Sequence, residues 1–288
     1  EPDRWRRGPR RRPEWVSAMK VGAVAVTVLV MLGAHRVDAA AGCRGRHWVG
    51  AWATSPSDST GGAFVDQSLR LVVNPTLGGG RVRVRLSNRY GSRPVTFGAV
   101  TIARRGTDAA LVPGTSRPLR FARQRSVTVP PGGEVVSDPR RFEHDAFEDV
   151  VVSLHVVGTS GPATEHALAL QTSYSSGMGT GDHTRDEAGS AFTNTLAAWA
   201  FLTDVEVRAS RRIGAVVALG DSITDGFPGP SDQNGRYPDL LARRLAAAGA
   251  RLAVQNAGIS GNRVLRNGLV PSLGPRLLDR LDHDAIDQ

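Results

Sequence analysis

The 288-residue chain has a single cysteine, Cys43, and a single lysine, Lys20. One cysteine cannot form an internal disulfide, so the fold cannot rest on a disulfide framework. The near-exclusive use of arginine among the 36 basic residues points to nucleotide composition, not to function. Long apolar runs are scarce as well. The longest, Val21–Ala34, is fourteen residues, against the roughly 20 needed to cross a bilayer, so no stable membrane span is expected in the mature form. No internal repeat stands out, which argues against a solenoid or propeller. His47, His144, His155, His166 and His183 are scattered without repeating ligand spacing, so they read as structural or surface residues; no metal and no cofactor is expected.

The formal net charge of +9 is concentrated at one end. Ten basic and four acidic residues lie in residues 1–47, which accounts for most of it. A basic folded patch would suggest nucleic acid, but charge in a terminal stretch does not, and no nucleic-acid partner is expected. Basic residues up to Lys20, the apolar run, and then Ala39-Ala40-Ala41 have the layout of a secretory signal peptide. Residues 1–41 are therefore read as a signal peptide with a basic N-terminal extension, cleaved after Ala41, and the protein as exported. Met19 would serve as a conventional start. Arg6-Arg7 and Arg10-Arg11-Arg12 permit a twin-arginine signal, in a context that does not otherwise support one. Ala40-Ala41-Gly42-Cys43 weakly resembles a lipoprotein processing site, which leaves lipid anchoring at Cys43 as an alternative.

Residues 48–210 have another texture. Short alternating runs such as Ser68–Val73, Arg81–Leu86, Val95–Ile102, Ser126–Val129 and Asp149–Val156 are separated by turn clusters, including Gly78-Gly79-Gly80 and Pro130-Pro131-Gly132-Gly133. Strands at this spacing without intervening helices predict an antiparallel β-sandwich or jelly roll. Arg81, Arg83 and Arg85 alternate with Val82, Val84 and Leu86, which places the arginines on one face. That face is either solvated, or a surface for acidic glycans or for docking the C-terminal segment. Trp48 and Trp52 fit a sandwich core better than a sugar-stacking platform. Gln171–Asp182, small and flexible in composition, reads as a long loop.

The most informative stretch follows. Ala215–Leu219, apolar and bounded by glycine, reads as a parallel strand buried on both faces, and it runs into Gly220-Asp221-Ser222-Ile223-Thr224-Asp225-Gly226. Taken alone, Gly-Asp-Ser could be an ordinary turn in which Asp221 or Ser222 caps a helix. Beyond a Gly/Pro/Asp loop, Arg236–Gly249 predicts an amphipathic helix with Pro238 in its first turn and Gly249 as its stop. A second strand, Arg251–Gln255, leads into Asn256-Ala257-Gly258-Ile259-Ser260-Gly261-Asn262. Strand, helix and parallel strand bring both loops to one sheet edge, where open α/β sheets hold ligands.

The two blocks, in this order and one crossover apart, resemble those of the GDSL/SGNH hydrolases, a family of esterases and lipases. The resemblance implies a flavodoxin-like three-layer domain, of which residues 213–288 hold the first βαβ part, behind the β-sandwich. It implies Ser222 as nucleophile, the backbone N–H groups of Ser222 and Gly261 as oxyanion donors, and an ester substrate: an acylated polysaccharide, a lipid or a small acyl ester. Asp221 is expected to organise the loop by accepting backbone hydrogen bonds, and Asp225 to be structural.

The chain also departs from the family. Neither a Gly-x-Asn-Asp block nor an Asp-x-x-His follows Gly261. His283 ends a helical-looking stretch from Pro271 to about Leu281 that leads away from the active edge, with Asp279 four residues before it, so it reads as a surface histidine. Residues 213–288 number 76, fewer than the roughly 100–200 of a doubly wound domain. The expectation is a fragment or an interrupted gene, with the catalytic His and Asp beyond Gln288. The alternative is an inert remnant attached to a glycan- or cell-wall-binding β-sandwich.

Overall fold

Valine alternating with arginine sets the first sheet. In the strand Gly79–Ser87, Val82, Val84 and Leu86 are fully buried while Arg81, Arg83 and Arg85 point the other way. The computed structural model describes residues 45–59 and 61–287; the expected signal peptide, Ala41 and Cys43 lie outside the described residues. Gly79–Ser87 pairs antiparallel with Leu202–Ser210, which pairs with Arg46–Ala53; Glu134–Val136 and Arg140–His144 occupy its other side. A second antiparallel sheet runs in the order Asn194–Leu196, Ser173–Ser175, Ala63–Val73, Val150–Pro162, Val95–Arg104, Arg117–Pro118, with Val127–Val129 also on Val95–Arg104.

Both sheets feed one apolar cluster. Val82, Val84, Leu86, Val205 and Val207 come from the first, and Leu69, Leu71, Phe97, Ile102, Val152 and Leu154 from the second. Trp52 and Trp199 meet edge to face at 4.9 Å, and Phe97 and Phe201 at 5.3 Å, geometries aromatic rings prefer. Trp52 is thus core, whereas Trp48 lies under the Arg83 guanidinium at 4.7 Å. The arginine face is neither bare nor free. Arg83 pairs with Glu206, and Arg85 with Glu206 and Glu134. The stretch read as a long loop from Gln171 begins with a buried strand, Ser173–Ser175, because serine hydroxyls substitute for ladder partners. Ser173 Oγ accepts from Val72 N–H, and Ser176 Oγ from Ser68 N–H.

The C-terminal part contributes one parallel pair. Gly214–Gly220 lies beside Leu252–Gly258 in unbroken register, Gly214 opposite Leu252 and Gly220 opposite Gly258. The helix Tyr237–Ala247 joins them, with Pro238 in its first turn and Asp239 accepting from the Arg236 N–H; Gly249 follows at φ +77°. The expected burial of both strand faces is not seen. Ala215, Val216 and Val217 are partly exposed, because among the described residues only Leu252–Gly258 pairs with this strand. The stretch from Pro271 also differs from one continuous helix. A short 3-10 turn, Pro271–Leu273, ends at Gly274 with φ +71°, and the helix restarts at Leu277–Leu281 before widening into a π-turn over Asp282–Ile286.

Two contacts seat the parallel pair on the first sheet. Gly50 is opposite Gln255, whose amide nitrogen lies where a Cβ would stand at 1.8 Å, so the glutamine side chain packs directly on the backbone of the strand Arg46–Ala53. Thr76 Oγ1 accepts from Val254 N–H at 2.9 Å and lies 3.0 Å from Val254 C=O, taking the place of a neighbouring strand. Thr76→Val keeps the shape but leaves both buried polar groups of Val254 unpaired. It should cost about 1–3 kcal/mol in urea unfolding and speed exchange of the Val254 amide. An unchanged midpoint and unchanged exchange would show that this hydroxyl does not hold the strand.

Candidate active site

Because the two strands are parallel and in register, the loops after Gly220 and Gly258 leave the same sheet edge side by side. Ser222 opens a single helical turn, Ser222–Asp225. Asp221 caps it by accepting from Ile223 N–H at 3.0 Å, and Gly226 closes it at φ +97°. Capping and exposure of the serine are therefore achieved together: Asp221 takes the cap, which leaves Ser222 half-buried at the sheet edge. Its Oγ makes no hydrogen bond among the described residues. As the first helical residue, its N–H has no intrahelical acceptor.

The second loop is pressed against the first. A Cβ at Gly258 would stand 2.3 Å from Asp225 N, so glycine is what lets the two backbones touch. Asn256 Nδ2 donates to Thr224 C=O at 2.8 Å, and Ile259 N–H to Gly220 C=O at 3.1 Å. Gly261 follows at φ +75°, in the left-handed region, and any side chain there would also strike Leu273. The fold itself thus gives a reason for glycine at this position. A hollow of about 390 Å³, lined by Ser57, Tyr90, residues 267–271, Gly274 and Pro275, lies on the Leu273 side of this loop; Ser222 is not in its wall.

Asp225 and His166 form the buried core of the site. Asp225 Oδ2 accepts from Ser260 N–H at 2.9 Å and Oγ–H at 2.7 Å, while Oδ1 faces His166 Nε2 at 3.0 Å. Burial pushes the Asp225 carboxyl up, but His166 and the Ser260 hydroxyl outweigh it, and the net shift is downward. The other ring nitrogen of His166, Nδ1, faces Ser55 C=O at 2.8 Å. The order is serine, carboxylate, imidazole. In a nucleophilic triad the imidazole must stand between the other two, so this trio ties the loop to residues 55 and 166 and does not activate a serine.

Arg280 closes the constellation from below and is almost fully buried. It donates to Gly220 C=O at 2.9 Å, Ala257 C=O at 2.7 Å, Asn262 Oδ1 at 2.9 and 3.0 Å, Ser55 Oγ at 3.2 Å and Asp284 Oδ2 at 3.0 Å. One guanidinium thus binds the ends of both strands and the loop carrying Gly261. Its one local signal is weak, the i, i+4 spacing of Arg280 and Asp284 on a helix. His166 carried none, because its partner is 59 residues away.

His283, read as a surface histidine, is half-buried and engaged through both ring nitrogens. Nδ1 is 2.6 Å from Asp284 Oδ1 and Nε2 is 3.1 Å from Glu134 Oε2. Hydrogen bonds to Asp284 and Glu134 raise it to about 9 against the opposing effect of burial. An imidazolium with both N–H groups on carboxylates has no lone pair for a serine proton. Among the described residues, no group of three or more His, Cys, Asp or Glu side chains is arranged to hold a metal ion.

Residues 218–287 match the GDSL-like Lipase/Acylhydrolase family, so that assignment applies to this segment of the chain. No curated protein matches the chain. Among solved structures it is similar to a family two carbohydrate esterase from Clostridium thermocellum, determined in complex with cellohexaose. The identity is 14% and the TM-score 0.22, over 83% of this chain and 58% of the esterase, so the chain spans less than two thirds of that structure.

Two outcomes follow from this geometry. Arg280→Met removes one buried donor from each of Asp284, Asn262 Oδ1 and the Gly220 and Ala257 carbonyls, and leaves Asp284 without its cation inside the fold. It should lower stability by about 3–5 kcal/mol and raise amide exchange in both loops, with Arg280→Lys recovering only part. Exchange confined to the last helix would show that the guanidinium does not brace the loops. For His283, the folded pKa lies above the ordinary imidazole value. Its contribution to stability is therefore complete below about pH 6.5 and lost as pH rises through about 9. The stability gap between the native chain and His283→Gln should shrink across that window. A gap constant from about pH 6 to about pH 10 would show that His283 is not held as an imidazolium.

Proposed function

We propose that residues 213–288 are the first part of an SGNH-type serine ester hydrolase in an exported protein. Residues 48–210 would form its accessory β-sandwich. The observation that carries this reading is the placement of Ser222 and Gly261 on adjoining loops at one edge of a parallel pair, braced by one buried arginine.

In this mechanism the ester carbonyl sits between Ser222 Oγ and the two backbone N–H groups. Oγ attacks the carbonyl carbon as its proton passes to a base. The electron pair of the C=O moves onto oxygen, and the N–H groups of Ser222 and Gly261 receive the developing charge. Collapse expels the alcohol, which takes the proton, and leaves an acyl-serine that water hydrolyses by the same steps. Loss of one oxyanion donor in such a site costs roughly 3–4 kcal/mol of barrier.

The base, and the acid that orients it, belong to polypeptide outside the described residues. Both ring nitrogens of His166 and of His283 are already engaged. The segment also presents apolar surface that a complete domain would cover, including Val216, Ile223, Phe227, Leu265, Leu269 and Val270. The substrate is an ester, of an acylated polysaccharide, a lipid or a small acyl group. The same engaged histidines favour a second reading for residues 1–288 alone, an inert segment attached to a glycan-binding β-sandwich.

Hydrolysis of p-nitrophenyl acetate and butyrate separates the two. The chain ending at Gln288 should be no faster than its Ser222→Ala variant. A protein extended through a downstream reading frame should hydrolyse both esters and lose about a thousandfold or more with Ser222→Ala. Ser222-dependent turnover in the short chain would overturn the assignment of the base. An extended protein indifferent to Ser222→Ala would overturn the nucleophile.

A further inference from the structure

The two antiparallel sheets leave a trough where their edges face each other. Arg140–His144 pairs only with Gly79–Ser87, and Arg117–Pro118 only with Val95–Arg104. Between them is a hollow of about 560 Å³, within the range of ligand sites, walled by Arg104, Arg117, Arg140, Arg141 and Thr115 with Phe142 beneath. It borders a second hollow of about 550 Å³ over the Gly78-Gly79-Gly80 backbone, shared at Arg104 and Glu143, whose wall adds His144 and the carboxylate of Asp145 and so does not extend the cationic surface.

The charges in this trough are not balanced from within. Arg104 is paired with Glu148. Arg141 and Glu143 pair at 3.1 Å, but their side chains are 83% and 71% exposed, and pairs that open contribute little. Among the described residues Arg117 donates only to the carbonyls of Gly114 and Ser116 and makes no ion pair. Arg140 makes none among the described residues either, and its Nε, closed off from solvent, is out of a ligand's reach. Two guanidinium groups therefore line one hollow without an ion-pair partner among the described residues. Forked cations of this kind suit an anionic acceptor.

The wall also limits what that acceptor can be. Phe142 is buried, so no exposed aromatic face lines the hollow. A neutral sugar ring or an unstacked base would find no platform there. What the trough offers is several planar, forked, permanently charged donors around one hollow, which suits the carboxylates of a short acidic chain. We infer that this trough binds an acidic oligosaccharide whose sugars carry carboxylates, holding a uronate chain on the β-rich region. The inference does not depend on Ser222, since binding is read without hydrolysis.

Calorimetric titration of the full chain tests it, using a short de-esterified oligogalacturonate, its carboxyl-reduced neutral counterpart and a single-stranded oligonucleotide of equal charge. The oligogalacturonate should bind, and the reduced oligomer should not. The double variant Arg117→Gln with Arg140→Gln should weaken binding about tenfold or more, whereas Arg251→Gln on the C-terminal segment should not. Arg117→Lys with Arg140→Lys keeps the charge but not the fork and should fall between. Equal binding of the oligonucleotide, binding of the reduced oligomer, no binding of oligogalacturonate, or an unchanged double variant would each overturn the inference. The last would place the interaction on the basic N-terminal stretch. Should the glutamine variant not fold, the lysine variant and the three ligands still decide.

Discussion

The buried guanidinium of Arg280 is the interaction on which the candidate site depends. Two parallel strands with one crossover helix are too small to fix their own loop geometry, since little apolar area is buried between them. Arg280 supplies what packing cannot. It reaches the C=O groups at the ends of both strands and the side chain of Asn262, one residue past Gly261. A buried cation is tolerated only when nearly all its donors are met. That condition makes the arrangement all or none: moving either loop leaves a charge short of acceptors.

The bracing is not local to the segment. Asp284 pairs with Arg280 on one side and with His283 on the other, and His283 reaches Glu134 of the first antiparallel sheet. Glu134 in turn faces Arg85. Ser55, Thr76 and His166 complete the attachment, each giving a polar atom to the C-terminal segment. The β-rich region therefore acts on the site as a mould. Part of the arginine face that could have been a ligand surface is instead the start of this charge chain, and the ligand-facing arginines lie at the sheet edges.

What the sequence revealed and what it concealed divide along physical lines. The strand around Val152, buried on both faces, was marked by its run of valines, while period-two alternation exposed the strand around Val82, because a half-buried strand writes its environment into its own residues. Pro238 and Gly249 marked the crossover helix for the same reason. The two loops after Gly220 and Gly258 were legible because glycine-bounded loops after parallel strands are local patterns. Arg280, His166 and Thr76 were not, since each acts through partners far along the chain: 225 residues separate Arg280 from Ser55. The break at Gly274 was legible in principle, but the charged, leucine-rich stretch after it reads as one helix until φ is known.

The two edges of the parallel pair are not equivalent, and this bears on how a larger sheet could be built. On a β-strand, the N–H and C=O of one residue point to the same side. Thr76 engages both groups of Val254, so the edge of Leu252–Gly258 away from its partner is already closed by a side chain of the β-rich region. Gly214–Gly220 has no such cover: its only paired neighbour among the described residues is Leu252–Gly258. An open edge carrying partly exposed valines is a template for another strand. Growth of the sheet is thereby directed to one side, next to the strand that delivers Ser222. A strand added there in parallel would end at the same edge as the loops after Gly220 and Gly258.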